Sequence, residues 1–346
     1  MTTKTPTRVA IVGTGTMARS HVAAYKANPD ASLVAAVDTR PDVLAAFCKE
    51  HDIAHAFTSI EALLEWGAFD GVSNVTPDAA HHATSLPFLR AGKHVLCEKP
   101  LAATYDDARE MADVAAQAGV VNMINLSYRD GPALQKAAQM VAEGAIGAVR
   151  HFEASYLQSW LTQPAWGDWK SESTWLWRLS SRHGSKGVLG DVGIHIIDFA
   201  TFVIGAMPTS HSAKLHTFHK APNDQIGEYP LDANDSFVMH LQCENGALGT
   251  ISATRFASGH HNDLRLRIYG VTGGLEVFFE KGESRLNACL APDLESQTWH
   301  EVALDPVDTV YQKFIAAIRG QGSGTPDFER GAELQKLLSE VELSGT

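Results

Sequence analysis

A chain of 346 residues is long enough for two domains, and its formal net charge of -12, with no basic tract, excludes nucleic acid and anionic membranes as partners. Hydrophobic residues make up 45% of it, an ordinary share for a soluble globular protein, and no apolar run is long enough to span a bilayer. Met1 to Pro6 has no apolar leader core, and Cys48, Cys97, Cys243 and Cys289 lack C-x-x-C spacing, which reads as a cytoplasmic protein with reduced, mostly buried thiols.

Arg8 to Val12 is a strand-like apolar run, followed by Gly13-Thr14-Gly15-Thr16-Met17-Ala18. Helical character then extends from Met17 to Asn28 and stops at Pro29, and Leu33 to Val37 is a second apolar run closed by Asp38. A G-x-G-x-x-A turn inside strand, helix, strand and terminal acid is a dinucleotide-binding fingerprint. Gly13 permits the tight turn, Gly15 lets backbone approach a pyrophosphate, and Ala18 lets helix and strand pack closely. Thr14, Thr16 and Met17 complete the turn into the helix N-terminus, where unpaired amides favour phosphate. Asp38 is placed to accept hydrogen bonds from both ribose hydroxyls of NAD and to repel a 2′-phosphate. Arg40 either stacks on adenine or, if Asp38 turns away, holds that phosphate. NAD is the expected cofactor, and NADP stays open.

The alternation continues. Helices are predicted over 41–50, 59–66, 79–91 and 104–118, and strands over 69–75, 94–97 and 120–126. This predicts an α/β fold whose first domain, 1–126, is a doubly wound parallel sheet of the Rossmann type. Thr76, Glu98, Lys99 and Asn125 fall at or just past strand ends, on the rim that carries Gly13.

The second domain, 127–346, opens with a helix over 132–143. Strands are predicted over 149–156, 236–242, 247–255, 264–269 and 274–279. Asn245-Gly246 and Gly273-Gly274 separate strands as hairpin signals, so an α+β domain with an open, mostly antiparallel sheet is expected. Late helices are predicted over 311–319 and 329–338. Trp160, Trp166, Trp169, Trp175 and Trp177 crowd one polar stretch that reads as a long ordered loop. Their faces suit either the C–H faces of a sugar or a subunit contact. Arg178 and Arg182 lie close by. The histidines show no metal-ligand spacing, and no metal is expected.

Gly190-Asp191-Val192-Gly193-Ile194-His195-Ile196-Ile197-Asp198 carries the strongest chemical signal. On a helix Asp191 and His195 share a face at i and i+4, with Asp198 a turn further on. A carboxylate beside an imidazole fixes its tautomer and raises its pKa, as a proton shuttle requires, although a structural pair bracing a core helix has the same spacing.

These motifs resemble the Gfo/Idh/MocA oxidoreductase family, which includes inositol dehydrogenases and glucose-fructose oxidoreductases. The carrying residues are the Gly13 to Ala18 turn, Thr76-Pro77 with His81, Ala91 to Leu101 with its Glu98-Lys99-Pro100, and Gly187 to Asp198. The resemblance implies NAD(P)-dependent oxidation of a sugar, polyol or glycoside secondary alcohol. It implies that Lys99 contacts the reacting hydroxyl, that His195 is the acid/base supported by Asp191, and that Asn125 lies near the nicotinamide end. Thr76, Pro77, His81, Glu98 and Lys99 join the implied cofactor set, His81 through a helix-start hydrogen bond rather than catalysis. Tyr156 and Trp175 join Lys99, Asp191 and His195 in the substrate set. Asp130 stands where many relatives carry an aromatic after the arginine at Arg129. A homodimer or homotetramer paired through the open sheet is also implied. Two other activities occur among such relatives: glycoside cleavage through transient oxidation with tightly held NAD, and non-catalytic regulation.

Overall fold

The computed structural model describes residues 5–164, 166–291 and 293–344, and the reading of Met1 to Lys4 as leaderless lies outside the described residues. The chain forms two compact units. One runs to Ser127 and takes back Asp308–Lys336, and the other comprises Tyr128–Val307 and the chain after Lys336.

The first unit alternates β1 (Thr7–Val12), α1 (Ala18–Lys26), β2 (Ala31–Val37), α2 (Pro41–His51), β3 (His55–Phe57), α3 (Ile60–Trp66), β4 (Gly71–Asn74), α4 (His81–Arg90), β5 (His94–Cys97), α5 (Tyr105–Ala118) and β6 (Asn122–Ile124). Ser59 and Thr104 start α3 and α5 by accepting the amides of Ala62 and Asp107, each at 3.2 Å. The six strands are all parallel, in the order β3-β2-β1-β4-β5-β6. The winding reverses between β1 and β4, and such sheets bind ligands beyond the strand C-termini at that reversal. The run Val9, Ala10, Ile11 is fully buried because helices cover both faces of a parallel sheet.

The second unit contains α6 (Pro132–Ala142), β7 (Val149–Gln158), α7 (Ser173–Leu176), α8 (Ile194–Ile204) and β8 (Pro208–His216). A small hairpin, β9 (Gln225–Ile226) with β10 (Tyr229–Pro230), precedes β11 (Ser236–Cys243), β12 (Leu248–Thr254), β13 (Asn262–Gly270), β14 (Gly273–Glu280), β15 (Glu283–Leu290) and β16 (His300–Glu301). Its eight-stranded sheet has the order β16-β15-β14-β13-β7-β12-β11-β8, antiparallel except where β7 meets β12. Phe152, Phe237, Ile251, Leu266 and Val277 are buried on one face, against which α6 and α8 pack. Val238 and Leu248, at alternating positions, stay more than half exposed.

The structure corrects one boundary. Residues 308–336, assigned by sequence to the second domain, belong to the first unit. They include α9 (Val310–Ile318) and the start of α10 (Phe328–Ser344). Val310, Phe314 and Ile315 form one stripe of α9, buried with Val22, Tyr25, Leu96 and Met123. Full burial of Phe314 alone is worth about 1.5–3 kcal/mol. Pro326 and Asn122 complete the return: the Pro326 carbonyl accepts from Ile124 N–H at 3.0 Å, and Asn122 Oδ1 accepts from Phe328 N–H at 2.8 Å.

Candidate active site

The turn after β1 is built against β4. Gly13 has φ +90°, and a Cβ there would lie 2.7 Å from the Val75 carbonyl oxygen and 2.9 Å from Thr76 N. Its own N–H donates to Val37 O at 2.8 Å. Gly15, Thr16 and Met17 are exposed at the mouth of α1, and a Cβ on Gly15 would meet nothing within 4 Å. Asp38 stays at the end of β2 and does not turn away. Its Oδ2 accepts from Thr14 N–H at 3.0 Å and Thr14 Oγ1 at 2.6 Å, and its Oδ1 from Arg40 N–H at 3.0 Å. Arg40 grips the same carboxylate through Nε at 3.0 Å and Nη2 at 3.1 Å. Burial alone would raise the Asp38 pKa, but the hydrogen bonds from Arg40 and Thr14 hold it well below the usual carboxylate range.

Behind this rim lies a polar network that the sequence did not reveal. His21, fully buried on α1, bridges β4 and β5: Nδ1 is 2.7 Å from Ser73 Oγ and Nε2 is 2.8 Å from Glu98 Oε1. Asn125 Nδ2 donates to the same Glu98 oxygen at 2.5 Å and to the Tyr311 hydroxyl at 3.1 Å. Glu98 Oε2 accepts the backbone N–H of Lys99 at 3.2 Å, which fixes the chain where the lysine begins. Burial would push Glu98 up, but the His21 hydrogen bond and charge, the Asn125 amide and Lys99 hold it down at about 2. Asn125 Oδ1 is buried with no hydrogen-bond partner among the described residues, an acceptor left for a bound group. An ionised acid at the end of β2, an open glycine edge before α1 and this spare amide oxygen fit a bound dinucleotide.

His81 is the first residue of α4 and fully buried. Its Nδ1 is 2.7 Å from the Pro100 carbonyl and its Nε2 is 2.8 Å from the Thr76 carbonyl. Carbonyl oxygens only accept, so both ring nitrogens donate and the ring is an imidazolium. Burial opposes the charge, but Cys97, the Pro100 carbonyl and Asp78 raise His81 to about 10. His81 thus ties the loop after β4 to the loop carrying Lys99. Its raised pKa makes its stabilisation complete below its unfolded value of about 6.5 and lost as pH rises toward 10. We expect His81→Gln to destabilise the protein by about 1.5–3 kcal/mol at pH 6 in urea melts. The gap from wild type should narrow by pH 10. A gap that is constant or widens over that range refutes the imidazolium.

In the second unit, Asp191 lies in a single π-helical turn, Leu189–Gly193, that leads directly into α8, and His195 is the second residue of that helix. Such turns recur at functional sites because they re-aim side chains. Asp191 Oδ2 accepts from Arg255 Nη2 at 3.1 Å. The His195 ring, 8% exposed, meets the Tyr128 ring edge-on at 4.9 Å. Tyr128 is locked by a closed ring of hydrogen bonds: its hydroxyl is 2.5 Å from that of Tyr156, Tyr156 donates to Asn262 Oδ1 at 2.6 Å, and Asn262 Nδ2 donates back to Tyr128 at 2.6 Å. Burial raises both phenol pKa values, so the ring is neutral. Asp198 accepts a two-pronged ion pair from buried Arg129 at 2.6 and 2.7 Å and so braces α8. Trp160 and Trp169 are buried, whereas Trp166 and Trp175 are partly open, with Trp175 lying 5.6 Å from Trp160 and 5.9 Å from Trp166.

Within the first unit the structure gathers Gly13, Thr14, Asp38 and Arg40 in one cluster, and Glu98, Lys99 and Asn125 in another, with Thr76 joined through His81 to Pro100. Within the second, Asp191, His195 and Tyr156 share one neighbourhood through Tyr128, and Trp175 belongs to the aromatic cluster. Sequence reading passed over His21, Tyr128, Arg255 and Tyr311. Only His21 had a local signal, three residues beyond Ala18 on the buried face of α1.

A Rossmann sheet with a glycine turn and a terminal acid, joined to a mixed-sheet domain, defines a dinucleotide-dependent oxidoreductase. Residues 7–126 match the oxidoreductase family with an NAD-binding Rossmann fold, and residues 134–276 match the GFO/IDH/MocA C-terminal domain. The chain belongs to the Gfo/Idh/MocA family and is an NAD-binding oxidoreductase. Levoglucosan dehydrogenase of Pseudarthrobacter phenanthrenivorans is 28% identical over 306 residues, 82% of this chain and 76% of that protein. D-glucoside 3-dehydrogenase of Escherichia coli is 27% identical over 97% of this chain and 95% of that one. A structure of levoglucosan dehydrogenase with NADH and levoglucosan aligns with a TM-score of 0.85 at 25% identity, covering 98% of this chain and 97% of that chain. Among the described residues no helix is long and apolar enough to cross a membrane.

Proposed function

We propose that this enzyme oxidises a secondary hydroxyl of a pyranose sugar, as an anhydrosugar or glycoside, to the ketone. The observation that carries the reading is the Glu98 carboxylate, buried and ionised, holding Lys99 at the rim of the NAD-binding sheet. Relatives with this architecture act on levoglucosan and D-glucosides.

His195 takes the hydroxyl proton as general base. Lys99, as ammonium, stabilises the charge that develops on the oxygen. Asp191 orients His195 and favours its protonated form. NAD, when bound, accepts the hydride lost from the carbinol carbon. Gly13, Thr14, Gly15, Thr16 and Met17 hold the phosphates, Asp38 and Arg40 the adenosine ribose, and Thr76, Pro77, His81 and Asn125 shape the rim. Trp175 offers an aromatic face to the sugar, and Tyr156 acts beneath it through Tyr128. The reading also places the enzyme in the cytoplasm, on its four free buried cysteines, and makes it a homodimer or homotetramer, on the exposed sheet face bearing Val238 and Leu248.

The test is NADH absorbance with NAD and NADP across inositols, aldoses, anhydrosugars and glycosides. We expect reduction of NAD by a pyranose substrate, lost in Lys99→Ala. No net reduction with any sugar, together with release of aglycone from a glycoside, would replace the reading with internal redox cycling. Bound nucleotide with neither product would replace it with regulation.

A further inference from the structure

Arg255, the residue after β12, is fully buried, and the chemistry above does not use its charge. A buried guanidinium is costly unless its surroundings repay the lost hydration. Nη2 donates to Asp191 Oδ2 at 3.1 Å and Nη1 to the Arg178 carbonyl at 3.1 Å. The guanidinium carbon lies 4.9 Å from the centre of the Trp160 ring. Nε has no hydrogen-bond partner among the described residues. The other carboxylate near it, Asp235, is already taken by Lys220 Nζ at 2.6 Å and Phe218 N–H at 2.9 Å. Asp191 is therefore the carboxylate that Arg255 holds directly.

Asp191 and Asp235 favour the Arg255 charge and Arg178 opposes it, while burial works against it. The Tyr128 and Tyr156 hydroxyls feel the Asp191 charge and are themselves neutral. The Tyr128 ring also stands edge-on to His195.

We propose that Arg255 is a positioning residue of the oxidation site: it aims the Asp191 carboxylate and offsets part of its charge, so that His195 both takes and releases a proton near neutral pH. This rests on the roles of Asp191 and His195 proposed above. With Arg255 neutralised, the full Asp191 charge would act on His195 and make it too basic, because a carboxylate stabilises an adjacent imidazolium. Arg255 is then the brake on a pair that sequence alone reads as purely activating.

The experiment is an NMR titration of the His195 ring, assigned by the signal lost in H195Q, in wild type, Arg255→Met, Arg255→Lys and the Asp191→Asn/Arg255→Met double variant. Arg255→Met should move the His195 midpoint to higher pH by about one pH unit, and the acidic limb of kcat/KM with it. Arg255→Lys, which keeps the charge and loses the fork, should leave the midpoint near wild type while lowering kcat. In the Asp191→Asn background, Arg255→Met should move nothing further. An unmoved midpoint in folded Arg255→Met, an equal shift in Arg255→Lys, or the same shift without Asp191 each overturns the proposal. If Arg255→Met does not fold, the lysine variant decides alone: a midpoint as in wild type with lowered kcat supports it, and a raised midpoint overturns it. Full turnover in His195→Ala would instead overturn the underlying catalytic reading, whatever the titrations show.

Discussion

His195→Ala is expected to lower kcat by at least two orders of magnitude, and Lys99→Ala by a similar factor, with NAD affinity within a few-fold of wild type in both. Oxidising an alcohol removes a proton from oxygen as hydride leaves carbon, and a positioned general base contributes about 10²–10⁴ to such a step. Stabilising the developing alkoxide is worth about 10²–10³ per donor in a water-poor site. The two losses should differ in kind. Without His195 the acidic limb of the pH profile should disappear, and added imidazole should restore part of the rate. Without Lys99 the limb should remain and the rate fall across the whole profile. Neither variant should unfold: both keep the backbone hydrogen bond from Lys99 N–H to Glu98, and the edge contact between His195 and Tyr128 is worth about 0.5–1.5 kcal/mol. A folded variant of either kind with near-normal kcat removes that residue from the mechanism.

What was legible in the sequence had a local cause. The β1 to β2 segment declares itself because strand, glycine turn, helix and acid must follow in order for a phosphate to reach the helix end. The parallel sheet follows from apolar runs separated by amphipathic helices. Strand β8, Pro208–His216, was missed because it lies at the edge of its sheet, where none of its side chains is fully buried and no apolar alternation marks it. Strand β15, Glu283–Leu290, shows polar residues on one face and small ones within the other. Strand β3 has three residues, too few to set a period.

The larger misses are long-range. Nothing in the local pattern of Tyr311 says that it returns to Asn125, 186 residues away, and this return is why the boundary after 307 was misplaced. Arg255 and Asp191 are 64 residues apart, so a sequence that shows Asp191 beside His195 hides the cation that shares the same carboxylate. The i, i+4 spacing placed Asp191 and His195 on one helical stretch, and the structure has Asp191 in the turn leading into the helix and His195 as the second residue of that helix. The spacing did not reveal the π-helical turn, because a π turn uses the same residue types as an α turn and is recognised only from its hydrogen bonds. Asp198, which shares that spacing pattern, is a structural residue bound to Arg129. Periodicity therefore nominates polar residues on a face, and only partners assign them.

The two fingerprint glycines should fail in opposite ways. Gly13→Val should lower the melting temperature by several degrees and abolish NAD binding, whereas Gly15→Val should leave the melting temperature within about a degree of wild type and still weaken NAD by at least tenfold. At Gly13 a Cβ meets backbone atoms of Val75 and Thr76 at 2.7–2.9 Å, and backbone at the end of a central strand cannot give way as a flexible side chain would. The φ of +90° adds strain for any L side chain. Forcing extra atoms into such a site costs about 1–3 kcal/mol before the strain is counted. At Gly15 the backbone angle is ordinary and the space is open, so a side chain costs the empty protein little. That open space is what the pyrophosphate needs, since its oxygens must reach the amides at the start of α1. Calorimetry of both variants with and without NAD measures the two effects separately. Equal destabilisation at both positions would mean that Gly15 serves the fold, and normal NAD affinity in Gly15→Val would mean that the phosphates do not lie against this turn.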